Sequence, residues 1–305
     1  MRLSTTSLFK EMSMNGTKFI ELTEKELNNL KEVIIEIAED VISICEENNL
    51  SYHLTGGSAL GAIRHGGFIP WDDDLDIDLE RKDVEVFIEK FNFKFSNKYW
   101  IHYYKSDEQF CIPNIQVRLK GTCIRGILDS NIEEAGAYID IAIIENTYNN
   151  FLLRKMHGIG SMALGLFVSC RRFYRDRKYL MQIAGENKEL QKIFKIKIRI
   201  GSIISILSLY RWTNLYNTWN AQCNNINSKW VSVPTGRKHF FGEMYKRGDF
   251  CENQKVKFEN HYWCIPKEIN KYLTHMYGDY MKIPPIEKRE KHILLDFNLG
   301  KYKKE

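Results

Sequence analysis

The chain has 305 residues, 44% of them hydrophobic and 13% aromatic, enough for one large or two small domains with a buried core, which excludes global disorder. A formal charge of +5 and a pI near 8.6 favour small anionic partners such as nucleotides, phosphorylated substrates or anionic lipid heads, and lack the concentrated basic character of a nucleic-acid binder. Seven cysteines with no C-x-x-C pair argue against a zinc knuckle or a disulfide framework, and no stretch reaches the ~18 apolar residues of a membrane span, so a soluble chain in the reducing cytoplasm is expected.

Residues 24 to 48 read as a long amphipathic helix: Thr23 and Glu26 form a capping box, and Leu27, Leu30, Ile34, Ile37, Val41 and Ile44 recur at helical spacing. It is expected to cover one face of a sheet. SYHLT is short and extended in character, and Gly56-Gly57 ends it before SALGAIRH, a short helix opening at Ser58. FIPWDDDLDIDLE then gathers Asp72, Asp73, Asp74, Asp76 and Asp78 within seven residues. From Asp74 onward polar and apolar residues alternate, the period of a strand, so Asp74, Asp76 and Asp78 share one face while Leu75, Ile77 and Leu79 enter the core. RKDVEVFIEKF is helical, KYWIHYY and IPNIQVRLKGTCIRGI give strands with a turn at Lys120-Gly121, and AGAYIDIAIIE is a further strand whose apolar run encloses the charge of Asp140.

Carboxylates about 4 Å apart repel by roughly 1 kcal/mol even in water, so something positive must offset this run. Asp74 and Asp76 on one strand face, joined by Asp140 from a neighbouring strand, make an oxygen-rich cluster suited to a hard cation such as Mg2+ or Mn2+, which stabilises charge when a phosphoryl group moves between oxygens. Gly56, Gly57 and Ser58 suit the same chemistry, because a turn without side chains and a helix N-terminus let backbone N–H groups reach phosphate. Arg64, His65 and Arg118 are candidate phosphate contacts. Their plain structural alternatives are a helix C-cap before Gly66-Gly67 for the first two and a surface salt bridge for Arg118. Asp72, Asp73 and Asp78 read equally well as a solvated face, and Trp71 as a packed ring. An EF-hand is excluded, since a loop beginning at Asp74 has Leu79 where glycine is required.

From about residue 151 the character changes to long helical segments, with twelve Lys or Arg against three acids between residues 151 and 200. The expected organisation is a catalytic core at 1–150, a basic helical region at 151–235, and a C-terminal segment at 236–305 that completes the core or the acceptor site. That last segment ends in YLTHMYGDYMKIPPIEKREKH, where Pro284-Pro285 forces an extended turn and Tyr277, Asp279 and His292 read as parts of a lid. The helical region mixes MALGLFV and SIISIL with Arg171, Arg172, Arg175, Arg177 and Lys178. Such a helix can lie peripherally on an anionic membrane, with ordinary packing beneath a solvated basic face as the plainer alternative.

GGSALGAIRHGGFIPWDDDLDI closely resembles the signature of the LicD family, whose members are similar to nucleotidyltransferase-fold enzymes. YIDI at 138 to 141 is similar to the family's third-aspartate strand and FENHYWCIPKEINKYLTHMYGDYMKIPP to its C-terminal block, so the resemblance spans roughly residues 25 to 145 and 236 to 292. It implies an α+β fold, a nucleotidyltransferase-like mixed sheet covered by helices with an additional helical region. It further implies a transferase that moves a phospho-alcohol, often phosphocholine, from a CDP-linked donor to a hydroxyl of a cell-surface glycan or its lipid-linked precursor, releasing CMP; fukutin-type relatives use a ribitol phosphate donor. Gly56, Gly57 and Ser58 match the family's phosphate loop, Asp74 and Asp76 its metal-binding pair, and Asp140 its third acid. After DI the family continues Phe-Pro-Leu-Asp, whereas this chain has Ala142, Ile143, Ile144 and Glu145, a departure that bears on the substrate-facing loop. Two rivals remain: a nucleotidyltransferase that attaches NMP to a small-molecule hydroxyl, and a catalytically silent nucleotide- or glycan-binding protein.

Overall fold

The computed structural model describes residues 20–105, 111–126, 129, 134–185, 187–289 and 294–303. Helix α1 (Glu24–Glu47) opens at the capping box read from the sequence: Thr23 Oγ1 accepts the Glu26 N–H at 3.3 Å, and the Glu26 carboxylate accepts the Thr23 N–H at 2.9 Å. It is followed by β1 (Tyr52–Leu54), α2 (Gly56–His65), β2 (Asp76–Glu80), α3 (Val84–Phe95), β3 (Tyr99–His102), β4 (Ile115–Leu119), β5 (Cys123–Gly126) and β6 (Tyr138–Asn146). Four helices come next, α4 (Phe151–Arg175), α5 (Arg177–Ala184), α6 (Lys188–Ile203) and α7 (Leu209–Asn220). The chain closes with β7 (Trp230–Ser232), α8 (His239–Gly242), β8 (Met244–Lys246), α9 (Arg247–Phe250), the hairpin β9 (Asn253–Phe258) and β10 (His261–Pro266), α10 (Ile269–Tyr277) and β11 (Leu294–Asn298).

The architecture is mixed α/β. The main sheet runs β1-β2-β6-β4-β3, with β7 paired to the far end of β6 and β8 beside it. Among the described residues only β2 and β6 run parallel, and the other pairs in this sheet are antiparallel. Their register sets Asp76 opposite Asp140, and Asp140 in turn opposite Gln116 of β4. Because β6 is central, any carboxylate it carries is drawn into the middle of the molecule. Past Asp140 it continues as sheet through Glu145, which is 2% exposed and ion-paired with Arg81. Ala142 to Glu145, where the chain departs from the family pattern, are therefore strand.

Two boundaries differ from expectation. Helix α2 begins at Gly56, with Thr55 as its N-cap, two residues before Ser58. Strand β2 begins at Asp76 and not at Asp74, because β1 turns into α2 at Gly56 and the ladder closes with the Thr55 N–H donating to Asp76 O at 3.1 Å. Leu75, Ile77 and Leu79 enter the core as the alternation requires. Asp78, however, is 0% exposed, so its solvated-face alternative is overturned: residues of the C-terminal segment cover that face of β2 too.

The main core joins α1, through Leu30, Ile34, Ile37 and Val41, to β2, β4 and β6, and to Phe250, Phe258, Trp263, Tyr272 and Leu273 from the end of the chain. Burying each such aliphatic or aromatic side chain contributes about 1.5–3 kcal/mol. The helices from α4 to α7 carry two smaller clusters, one around Phe173, Leu190 and Phe194 and one around Val168, Leu209 and Tyr216.

Candidate active site

Strand β1 delivers the chain to Gly56, whose φ of +54° is costly for any other residue. A Cβ there would lie 3.3 Å from Asp76 Oδ2, and one at Gly57 only 2.7 Å from Asp72 Oδ2, so the two glycines let carboxylates approach the main chain closely. Ser58, 4% exposed, accepts the Asp76 N–H on its hydroxyl oxygen at 2.8 Å. The Gly56 N–H donates to the Tyr272 hydroxyl at 2.8 Å, and Thr55 Oγ1 lies 2.7 Å from the same atom. The turn is thus fastened on one side to the acidic strand and on the other to α10.

Asp140 sits at the cleft floor, where Gln116 Nε2 donates to its Oδ1 at 2.7 Å. Gln116 is oriented in turn by Arg118, whose Nη2 and Nε reach its Oε1 at 2.7 and 3.1 Å. Arg118 is 0% exposed, 2.9 Å from Asp129 and over the Tyr138 ring. It is not a surface residue: it stands behind the cleft wall and acts on the acid through Gln116. Burial raises the Asp140 pKa to about 6; the Gln116 hydrogen bond and the Arg118 charge oppose that rise, and the Asp74 carboxylate adds to it.

Asp74, Asp76 and Asp140 line one cleft of about 800 Å³, together with Gly56 and Gly57. Asp76 and Asp140 face each other on adjacent strands, and Asp74 lies in the turn just ahead of β2. Asp72, Asp73 and Asp74 offer carboxylate oxygens all within 4.8 Å of one another. Among the described residues this is the close group of carboxylates; Asp76 and Asp140 line the same cleft but are not part of it. Carboxylate oxygens suit a hard divalent cation of the Mg2+ or Mn2+ kind better than a thiophilic one.

Arg64 lines the rim, its Nη1 donating to Tyr280 O at 2.9 Å, while His65 accepts from Arg64 Nε at 3.0 Å and turns its ring edge towards Trp71. Trp71 packs between the guanidinium groups of Arg64 and Arg289, 5.9 and 4.1 Å from its ring centre. Tyr277 and Asp279 face the cleft, and His292 lies outside the described residues. Asp78 is away from solvent, with Oδ2 3.4 Å from Nε2 of His53, its register partner on β1.

Several cleft residues escaped the sequence. Gln116 had a signal, since it precedes Arg118 by two on the strand NIQVRLK and so shares its face. Glu243, 3% exposed, has its carboxyl pushed up to about 7 by burial, against a hydrogen bond from the Lys238 N–H. Arg172 reaches the cleft from α4, burial drawing it down to about 10 and Nη2 donating to Cys111 O. Neither they nor Tyr272 follow a local pattern, because only tertiary packing brings them here.

The family model described as "LicD/FKTN/FKRP, nucleotidyltransferase domain" matches residues 49–119, which contain the glycine turn, the aspartate run and Gln116. Over 288 residues, 90% of this chain and 97% of the relative, the sequence is 26% identical to the lipopolysaccharide cholinephosphotransferase LicD of Haemophilus influenzae. A shorter stretch of 49 residues, 16% of this chain and 10% of the relative, is 47% identical to the ribitol 5-phosphate transferase FKRP of Homo sapiens. An uncharacterised protein of Rickettsia prowazekii is 40% identical over 50 residues. The LicD resemblance therefore extends from the motif to nearly the whole chain.

Proposed function

We propose that this LicD-like chain is a metal-dependent transferase that moves a phospho-alcohol, phosphocholine before ribitol phosphate, from a CDP-linked donor to a hydroxyl of a glycan or its lipid-linked precursor. One observation carries the proposal: Asp140 is held beside Asp76 on adjacent strands, at the foot of a glycine turn, in a cleft large enough for a nucleotide. Phosphocholine comes first because the relative aligned over 97% of its length is named a cholinephosphotransferase. The cytoplasm is its proposed place, supported by seven cysteines that are all free.

Asp74, Asp76 and Asp140 would hold Mg2+ or Mn2+, and the bound ion would supply neutralisation of the donor's pyrophosphate charge. The chain's own groups do the rest. The turn at Gly56 and Gly57 lines the cleft and lets the Asp76 and Asp72 carboxylates stand close to the main chain, and Arg64 adds positive charge at the rim. Gln116 and Arg118 fix the direction of the Asp140 carboxylate. An acceptor hydroxyl then attacks the phosphorus bearing the alcohol; the bond from that phosphorus to the bridging oxygen breaks, CMP leaves with the electron pair, and the hydroxyl proton passes to Asp140.

The test is product analysis by phosphorus NMR with CDP-choline, CDP-ribitol and CDP-glycerol plus Mg2+, water serving as the slow acceptor. CMP and the free phospho-alcohol are expected, with Asp76→Asn slowed by about a thousandfold at unchanged melting temperature. Run in 18O-labelled water, the label is expected in the phospho-alcohol; label in CMP would indicate attack at the nucleotide phosphorus and hence nucleotidyl transfer, and tight donor binding without turnover a silent binding protein.

A further inference from the structure

Helix α4 buries the wrong side of itself for an ordinary surface helix. Its inward face is rich in glycine: a Cβ at Gly158 would lie 2.3 Å from Phe241, one at Gly160 2.3 Å from Trp219, and one at Gly165 3.3 Å from Tyr216, so aromatic rings pack directly on its backbone. Over residues 151–162 its large apolar side chains point outward. Phe151 is 69% exposed, Leu152 63%, Met156 58%, Ile159 55% and Met162 42%. At 100° per residue these five and Lys155 fall within an arc of about 140°, a continuous apolar face with one cation in its middle. The face ends near Cys170, which α6 covers by bringing Gly201 against its carbonyl.

We infer that this face of α4 is a docking surface for an anionic lipid membrane. Contiguous exposed apolar patches of this kind mark interaction sites, and charge selects the occupant. Between residues 151 and 200 there are twelve Lys or Arg against three acids, and among the described residues there seven cations but only one acid, Glu189, are exposed. Such a region repels a second copy of itself and is drawn to an anionic surface. No described helix is long and apolar enough to cross a membrane, so α4 lies in the interface with its apolar side chains among the acyl chains and Lys155 at the headgroups. MALGLFV and SIISIL are not the heart of this surface: the broad apolar face begins at Phe151, one turn after β6 ends. The inference is independent of the transferase proposal.

The test is co-sedimentation of the full chain with phosphatidylcholine vesicles with and without phosphatidylglycerol. Wild type is expected to pellet with the anionic vesicles, less so as salt rises. The triple variant Phe151→Ser, Leu152→Ser, Ile159→Ser is expected to lose about tenfold or more of that partition with unchanged melting temperature and sedimentation mass. Lys155→Glu, which removes no apolar area, is expected to weaken binding to the anionic vesicles alone. Equal pelleting with neutral and anionic vesicles, equal binding by the triple variant, or a wild-type dimer that the triple variant converts to monomer without any vesicle binding would each overturn the inference.

Discussion

Gln116 is the residue on which the geometry of the candidate active site turns. Its carbonyl oxygen faces Arg118 and its N–H2 faces Asp140, so one amide transmits a buried guanidinium's orientation to a carboxylate at the cleft floor. Gln116→Leu should lower kcat by about 10–100-fold, as loss of a group that orients a metal ligand commonly does, while Gln116→Glu, which cannot donate to a carboxylate when ionised, should be no better; full activity in either would contradict the orienting role. Close backbone approach gives a second prediction. A Cβ at Gly136 would sit 2.2 Å from Leu119 O, so Gly136→Ala should destabilise by about 1–3 kcal/mol in a denaturant titration, whereas Gly248→Ala, whose nearest contact is an ordinary 3.6 Å to Glu252, should stay near wild type. At this scale the sequence was informative where chemistry has a period. Asp74, Asp76 and Asp140 stand out against alternating or continuous apolar residues, but nothing around Glu243 marks it, because its burial comes from elements distant in the chain.

Among the elements, α6 carries an unusual charge. Lys197 is 3% exposed, 3.1 Å from Ser169 and over the Phe173 ring, and burial brings its pKa down to about 8 from 10.5. Below pH 8 the amine is charged in both folded and unfolded chains, and the folded state bears the desolvation penalty. From pH 8 to 10.5 the unfolded chain binds more protons, so this group makes stability rise with pH. Lys197→Met should accordingly raise stability by about 1–3 kcal/mol at neutral pH and flatten the alkaline rise; a lower melting temperature at neutral pH would mean that the Ser169 and Phe173 contacts outweigh desolvation. Helix α10 makes the complementary case. Its Tyr272 hydroxyl joins the Gly56 N–H and Thr55 Oγ1, so Tyr272→Phe should cost about 1–2 kcal/mol and raise the KM for donor. The capping box at Thr23 and the strand at AGAYIDIAIIE were legible because they are local. The start of β2 at Asp76 was not, since it depends on where a different strand leaves the sheet.

At the scale of the molecule, the cleft is assembled from distant parts of the chain. The glycine turn and acids come from its first half, Tyr272, Tyr277 and Asp279 from its end, and Arg172 from the helices between. Composition marked the basic helices as different in character, and the family-model match at residues 49–119 falls on the glycine turn and the aspartate run. Neither could reveal that α4 serves the cleft with Arg172 while turning the apolar side chains of its first half outward, because a helical period identifies a stripe without saying which stripe finds a partner. The same limit applied to Asp78, whose pairing with His53 needed the β1–β2 register. The most direct measurement is anomalous scattering from crystals grown with Mn2+ and a CDP-linked donor. A manganese peak in bonding contact with Asp74, Asp76 and Asp140 and with a donor phosphate oxygen is the expected result. A peak held only by Asp72 and Asp73, or no peak at all with donor bound, would contradict the metal-dependent site.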